Sequence, residues 1–321
     1  MRHDVIEKLY DCLDEMAMLL VEHGNLRYLD ALIATSANIM AADILQEVDM
    51  EIEIKLFALG KELNEMEFNS EEVRKALQLA LLKGLKSDNL SLDGMTPDGV
   101  AILIGYLVDK LKPAAKELKV ADFVVGTGNL LTAVLNTLKE TPAAIYGVDS
   151  DYKALELAKM MADMQAYEAQ FYQQSSTRVM NVPLIDVVIG DLPGGGQGEL
   201  VNEGSALGAA GCHYLPYLLV ENHLNYLSEE GYAIYVIDND FFSQEHAAKL
   251  HEVITKKANI FMLLQLPETM FKGTNEGKSL LVLRKQKMEN EALVAVLPDF
   301  NDRKKVQATL TRVEDWIKLN T

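Results

Sequence analysis

Residues 119–131, KVADFVVGTGNLL, constrain the fold more than any other stretch of the chain. The apolar first half reads as a buried strand, and it runs straight into Gly126-Thr127-Gly128-Asn129 before a helix begins at Leu130. Glycine accepts positive φ and leaves the backbone bare, so a ligand can approach it. The helix start that follows presents free amides. A second strand, AAIYGVD, ends on Asp149, 21 residues beyond Gly128. In a doubly wound sheet both strand ends lie at the carboxyl edge, around the switch point. A carboxylate there can accept both hydroxyls of a ribose. Each feature also has a purely structural account. A GxG lacking the third glycine (Leu131 stands there) suits a plain turn, and Asp149 suits a helix cap.

The pattern around this unit is α/β. Candidate strands at 120–125, 144–148, 185–189, 232–237, 260–266 and 279–283 alternate, for the most part, with helical stretches at 130–138, 152–165, 215–227 and 242–256. Apolar strands alternating with helices imply a Rossmann-like, doubly wound, mostly parallel sheet covered on both faces. A last strand at 292–297 precedes an amphipathic helix at 304–319. Thr96 can cap, and Pro97 can open, the helix that leads into GVAILIGYLVDKL. Asp238-Asn239-Asp240, closing the strand YAIYVI, either lines the same carboxyl edge or caps the next helix.

Earlier in the chain the period changes to three and four residues, as in Val5, Leu9, Leu13, Met16 and Leu20. Gly24-Asn25 breaks this helix, and a second helical stretch follows through Leu32, Ile39 and Ile44. Asn69-Ser70-Glu71-Glu72 reads as a capping-box start for another helix through Leu77 and Leu81. The expected division is a helical N-terminal domain, residues 1–92, and an α/β domain, residues 93–321.

Charge limits the partners. Lys and Arg number 30 against 48 Asp and Glu, a formal net charge of −18. Neutralised phosphates supply most nonspecific affinity for nucleic acid, so tight autonomous DNA binding is disfavoured. Any nucleic acid is expected to use a local groove or a partner subunit. The helical N-terminal domain is the expected docking surface for a protein partner or for a second copy. Charges interrupt every apolar run well short of a membrane span, so no membrane contact is expected. The acidic, amphipathic N-terminus does not read as a targeting peptide. Cys12 and Cys212 form neither a disulfide framework nor a zinc motif, and the histidines lack metal-ligand spacing. A reducing cytoplasm is the expected location.

DFVVGTGNLL resembles the first motif of class I S-adenosylmethionine (SAM)-dependent methyltransferases, and more narrowly that of the adenine-specific N6 DNA methylases, D-P-A-C-G-T-G-N-L-L. Met95-Thr96-Pro97-Asp98 resembles the N-terminal SAM motif of that group, and Asp191-Leu192-Pro193 its D/N-P-P-aromatic catalytic motif. LQLPETMFKGTNEGKSLLVLRK resembles the late strand pair of type I modification subunits. Over essentially its whole length the chain is similar to the YtxK-like adenine-specific DNA methylases of Gram-positive bacteria.

The resemblance implies SAM as cofactor. Thr96 and Pro97 would contact its methionine end. Asp122, Gly126, Gly128 and Asn129 would hold the amino-acid part and admit the backbone, and Asp149 would bind the ribose. Asp191 and the carbonyl of Leu192, next to Pro193, would accept hydrogen bonds from an exocyclic amine and raise electron density on its nitrogen. The work is orientation and desolvation. There are departures from the family pattern. Gly194 stands where an aromatic should stack on the target base, Leu192 replaces a proline, and Phe123 and Val125 replace Pro and Cys. The acidic residue expected after the third strand falls on Ser175 or Ser176. Stacking contributes about 1–3 kcal/mol per base, so the target-base pocket reads as eroded while the SAM outline is kept. Taken alone, D-L-P-G-G-G is equally a loop initiator. The expected function is a SAM-binding methyltransferase of N6-adenine type. The alternatives are a catalytically degenerate regulatory or interaction module, and methylation of a protein or small-molecule nitrogen.

Overall fold

The computed structural model describes residues 2–90, 95–112, 117–196, 203–271, 277–288 and 290–321. Helices α1 (His3–Gly24), α2 (Tyr28–Ala41), α3 (Met50–Asn64) and α4 (Ser70–Ser87) pack together at the N-terminal end. Leu9, Leu13, Met16 and Leu20 form the buried stripe of α1, and Asn25 in the left-handed region ends the helix. Asn69 caps α4 by accepting the Glu72 amide, while the Glu72 carboxylate accepts the Asn69 amide. That is the reciprocal pairing the local sequence calls for. The second helix stops before Ile44. Asn38 turns its side chain onto the Leu45 amide and onto Gln46, so the chain folds back after Ala41. The expected boundary at 92–93 falls within residues 91–94, outside the described residues.

The remaining elements are α5 (Asp98–Leu111), β1 (Lys119–Asp122), α6 (Asn129–Leu135), β2 (Ala144–Asp149), α7 (Tyr152–Asp163), β3 (Ala169–Gln173), β4 (Ile185–Asp191), α8 (Ala206–Ala209), α9 (Leu215–His223), β5 (Leu227–Asp238), α10 (Ala247–Lys257), β6 (Asn259–Gln265), β7 (Lys278–Arg284), β8 (Leu293–Val296) and α11 (Arg303–Asn320). The strands form one sheet in the order β3-β2-β1-β4-β5-β7-β6-β8. Only β7 runs antiparallel to its neighbours, between β5 and β6. The chain leaves β1 toward β2 and β3, then returns to the other side of β1 as β4. In doubly wound sheets ligands bind at such a reversal, outside the carboxyl ends of the strands that flank it, here β1 and β4.

Successive residues feed opposite faces. Val120, Val187, Ile189 and Ile234 pack with α5, α6 and α11, whereas Ala121, Val188 and Tyr235 pack with α9 and α10. Helix α7 has two apolar faces. Leu155 and Ala158 join the sheet core, while Leu157, Met160 and Met161 join the N-terminal helices. This α7 packing joins the N-terminal bundle to the sheet.

Several element limits differ from the spacing. The helix expected over 215–227 ends at His223, because Leu227 is already taken into the sheet opposite Ile185. The helix expected from 242 begins at Ala247, after a single tight turn that buries Phe241. Strand β3, at the sheet edge, is only partly buried and so lacks the apolar signature of the inner strands. Among the described residues no helix is long and apolar enough to cross a membrane.

Candidate functional site

Four adjacent strands, β2, β1, β4 and β5, each end on an aspartate, so Asp149, Asp122, Asp191 and Asp238 stand side by side along the carboxyl edge. The turn leaving β1 rises between the first two. Gly126 and Gly128 both have positive φ, 51° and 79°. A Cβ on Gly128 would lie 2.9 Å from the Ala158 Cα, so this glycine lets the turn lie against α7. A Cβ on Gly126 would meet nothing within 4 Å, so the space over that residue is open. Asp149 faces the turn. Its Oδ2 accepts the Gly126 N–H at 2.9 Å and its Oδ1 the Asp151 N–H at 2.9 Å. Helix α7 is capped by Asp151, through the Lys153 and Ala154 amides, which removes the cap account of Asp149. Beside it, Gln174 donates its main-chain N–H to the Asp149 carbonyl, and its side-chain amide nitrogen is buried without a partner among the described residues. Ser175 bonds Thr177, and the Ser176 carbonyl accepts from Asn222.

Asp122 lies beneath the turn, 1% exposed, with Oδ1 accepting the Val124 N–H at 3.0 Å. Burial pushes its carboxyl up to about 8. The single amide bond opposes this, while the neighbouring Asp149 and Asp191 add to it.

Around Asp191 the arrangement is polar and partnered. Thr96 does not cap α5, whose first residue is Asp98 with Pro97 in the preceding position. Thr96 therefore lies one residue ahead of the cap position, and its buried hydroxyl donates to Asp191 Oδ2 at 2.9 Å, a charge-assisted hydrogen bond. Lys278, the first residue of β7, donates to Asp191 Oδ1 at 3.2 Å and lies 3.7 Å from Asp238. Burial raises the Asp191 carboxyl above its ordinary range, with Asp238 adding to the shift and Lys278 and Thr96 holding it down. Lys278 escaped the sequence reading. The antiparallel run of β7 sets it opposite Asp238 in the ladder, and strand direction leaves no local mark. Asp238 was visible as a residue of the edge.

Leu192 is buried and its N–H bonds the Val236 carbonyl at 3.0 Å, a ladder bond proline could not make. Pro193 and Gly194 are exposed, and a Cβ on Gly194 would lie 3.0 Å from Asp238 Oδ2. Residues 197–202 of this Gly- and Ala-rich segment lie outside the described residues, as do 272–276 of the late strand pair. Asn129, 2% exposed, ties the turn to the Met95–Asp98 segment, with its Nδ2 donating to the Thr96 carbonyl at 3.4 Å.

This constellation sits in a chain with clear relatives. The sequence pattern of the N-6 DNA Methylase family matches residues 93–315, and that of the YtxK N-terminal helical domain matches residues 7–85. The Bacillus subtilis protein YtxK is 32% identical over 329 residues, 99% of each chain. The crystal structure of a Listeria monocytogenes protein assigned to the class I SAM-dependent methyltransferases is 30% identical. It superposes with a TM-score of 0.84 over 98% of this chain and 100% of its own. The methyltransferase subunit of a Streptococcus thermophilus type I restriction-modification system, 13% identical, shares the fold at a TM-score of 0.61 over 97% of this chain and 73% of its own. The chain therefore belongs to the N-6 DNA methylase family and carries, ahead of the methylase region, the helical domain of the YtxK type.

Proposed function

We propose that the chain binds SAM at the Gly126–Asn129 turn and transfers its methyl group to an amine nitrogen seated on Asp191, as an N6-adenine-type methyltransferase. One observation carries the proposal. Segments far apart in sequence meet on one edge through direct bonds, Asp149 to the Gly126 amide, Asn129 to the Thr96 carbonyl, and Thr96 to Asp191. The residues present fit the cofactor. The space over Gly126 is open, and each Asp149 oxygen keeps a lone pair for a ribose hydroxyl after its amide bond. Gln174, with its unpartnered amide nitrogen, is the candidate for the adenine edge in place of the expected acid. Thr96, Pro97, Asp122, Gly128 and Asn129 would frame the amino-acid end.

When bound, SAM supplies an electrophilic methyl group. Asp191 and the Leu192 carbonyl would orient the acceptor N–H groups, with Pro193 shaping the loop. Burial raises the Asp191 carboxyl, which suits it to receive the proton the nitrogen releases. Nucleic acid would need a local groove or a partner subunit, given the net charge of −18 and the lack of an aromatic at position 194. The buried free thiols of Cys12 and Cys212 suit a reducing cytoplasm.

Calorimetric titration of SAM into wild type and Asp149→Ala tests the cofactor site, and the expected loss is tenfold or more. Equal affinities overturn the ribose role. Labelled methyl transfer to DNA, RNA and protein pools, with Asp191→Ala as control, identifies the acceptor class. Transfer that survives Asp191→Ala undiminished overturns the acceptor role. Lys278 favours a second function, because its ammonium already occupies Asp191. That arrangement suits a SAM-binding regulatory module that docks a protein partner or a second copy through its helical domain. SAM binding without transfer to any pool, in wild type and in Lys278→Met alike, selects the module.

A further inference from the structure

We propose that helix α4 is a working part of the turn between β1 and α6, in which Glu71 and Arg74 clamp both ends of α6 and so set the Gly126–Asn129 backbone. The consequence for SAM rests on the site proposed above, whereas the clamp itself does not.

Helix α6 has seven residues, too few to hold its own geometry without outside contacts. Arg74, 1% exposed, supplies them at the front. Its Nη1 donates to Asn129 Oδ1 at 2.8 Å, on the first residue of α6. Its Nε and Nη2 grip the two Glu71 oxygens, both at 2.7 Å, and Nη2 also reaches Asp98 Oδ1 at 2.9 Å. Glu71 supplies the contact at the rear, where its Oε2 accepts from Asn136 Nδ2 at 2.9 Å, on the residue closing α6. Asn136 is steadied in turn by Gln165 and by the Tyr167 hydroxyl. A guanidinium this deep is tolerated only when its N–H groups are matched, and here the matching groups are Glu71 on its own helix, Asn129 at the front of α6 and Asp98 at the start of α5.

The bond to Asn129 also decides which way that amide points. With Oδ1 receiving the guanidinium, Nδ2 is left to face the Thr96 carbonyl, and Thr96 in turn bonds Asp191. Arg74 is therefore a positioning residue. It touches neither cofactor nor acceptor, and it acts through Asn129 on both halves of the edge.

Two readouts test the clamp, using full-length Arg74→Met with Lys83→Met as control. Lys83 is on the same helix, and its pairing with Asp14 lies away from α6. Hydrogen exchange of the ligand-free protein is expected to speed up tenfold or more across residues 125–132 in Arg74→Met, and to stay at the wild-type rate there in Lys83→Met. Unchanged exchange in that segment overturns the clamp whether or not the protein binds SAM. Calorimetry is then expected to show SAM affinity at least tenfold weaker in Arg74→Met and unaltered in Lys83→Met. If wild type binds SAM and Arg74→Met binds it equally, the positioning role is refuted. If wild type itself does not bind SAM, the cofactor proposal fails and the exchange result still decides the clamp. Should Arg74→Met not fold, Arg74→Lys keeps the charge without the fork and is expected to show both effects, because one ammonium cannot span Asn129, Asp98 and Glu71.

Discussion

Asp122→Asn isolates the cost of placing a carboxyl under the glycine turn. The folded-state pKa is about 8, whereas an unfolded aspartate titrates near 3.9. Between those values the native chain holds a proton that the unfolded chain has released. Stability from this group is therefore full below pH 4, falls as pH rises, and levels off above about 8. The slope is about 1.4 kcal/mol per pH unit, so at pH 7 the group costs roughly 4 kcal/mol relative to pH 4. The variant amide cannot ionise in either state, and its oxygen can still accept the Val124 N–H. Its nitrogen adds a buried donor, which costs about 1–3 kcal/mol at every pH. The two effects separate cleanly, since the donor sets an offset and the proton sets a slope. Urea unfolding at pH 5, 6, 7 and 8, followed by circular dichroism, measures both. The stability of Asp122→Asn relative to wild type is expected to rise by about 1 kcal/mol or more per unit from pH 5 to 7 and to begin to flatten only near pH 8. A difference that stays constant from pH 5 to 8 refutes the account of Asp122 as a protonated, buried acid.

Lys278→Met removes the cation between Asp191 and Asp238, both largely buried. A loss of about 2–3 kcal/mol at pH 8 is expected, in the lower part of the range for breaking a buried pair because water still reaches the site. With the cation gone the Asp191 carboxyl rises further, so the deficit shrinks toward pH 5, and urea midpoints across that range check it. The two glycines of the turn are expected to respond differently. Gly128→Ala drives a Cβ into the Ala158 backbone at positive φ and should cost about 3 kcal/mol in urea unfolding. Gly126→Ala meets open space and should cost only about 1 kcal/mol from its φ, yet weaken SAM binding tenfold or more by calorimetry. Equal stability losses for the two would contradict their different surroundings.

The parts of the site legible in the sequence are those in which strand, turn and helix are neighbours. The GTGN turn needs glycine for conformational reasons that any strand–helix junction would impose, and Asp149 announces itself as the last residue of the next strand. Asp149 and the turn are joined by a single short connection, so periodicity alone brings them to one edge. Lys278 and Asp191 are 87 residues apart and meet only because β7 reverses direction inside an otherwise parallel sheet. An apolar strand reads the same in either orientation. Thr96 carried a local cap signal, a polar residue before Pro97, but the helix begins at Asp98, which puts Thr96 one residue ahead of the cap and leaves its hydroxyl to a carboxylate 95 residues away. The edge strand β3 was faint because none of its five residues is fully buried. Arg74 gave no signal at all, since a lone arginine on an amphipathic helix normally belongs to solvent.

The reversal of β7 brings a strand's first residue to the carboxyl edge, where β2, β1, β4 and β5 bring their last. Asp149 and the glycine turn depend on backbone geometry, most of all at Gly128, where a Cβ would meet the Ala158 backbone. At β7, by contrast, the charge beside Asp191 is set by a strand's opening residue, whose ladder bonds are made by main-chain atoms. One codon at position 278 can thus reset the charge beside Asp191 and Asp238 without altering the strand that carries it.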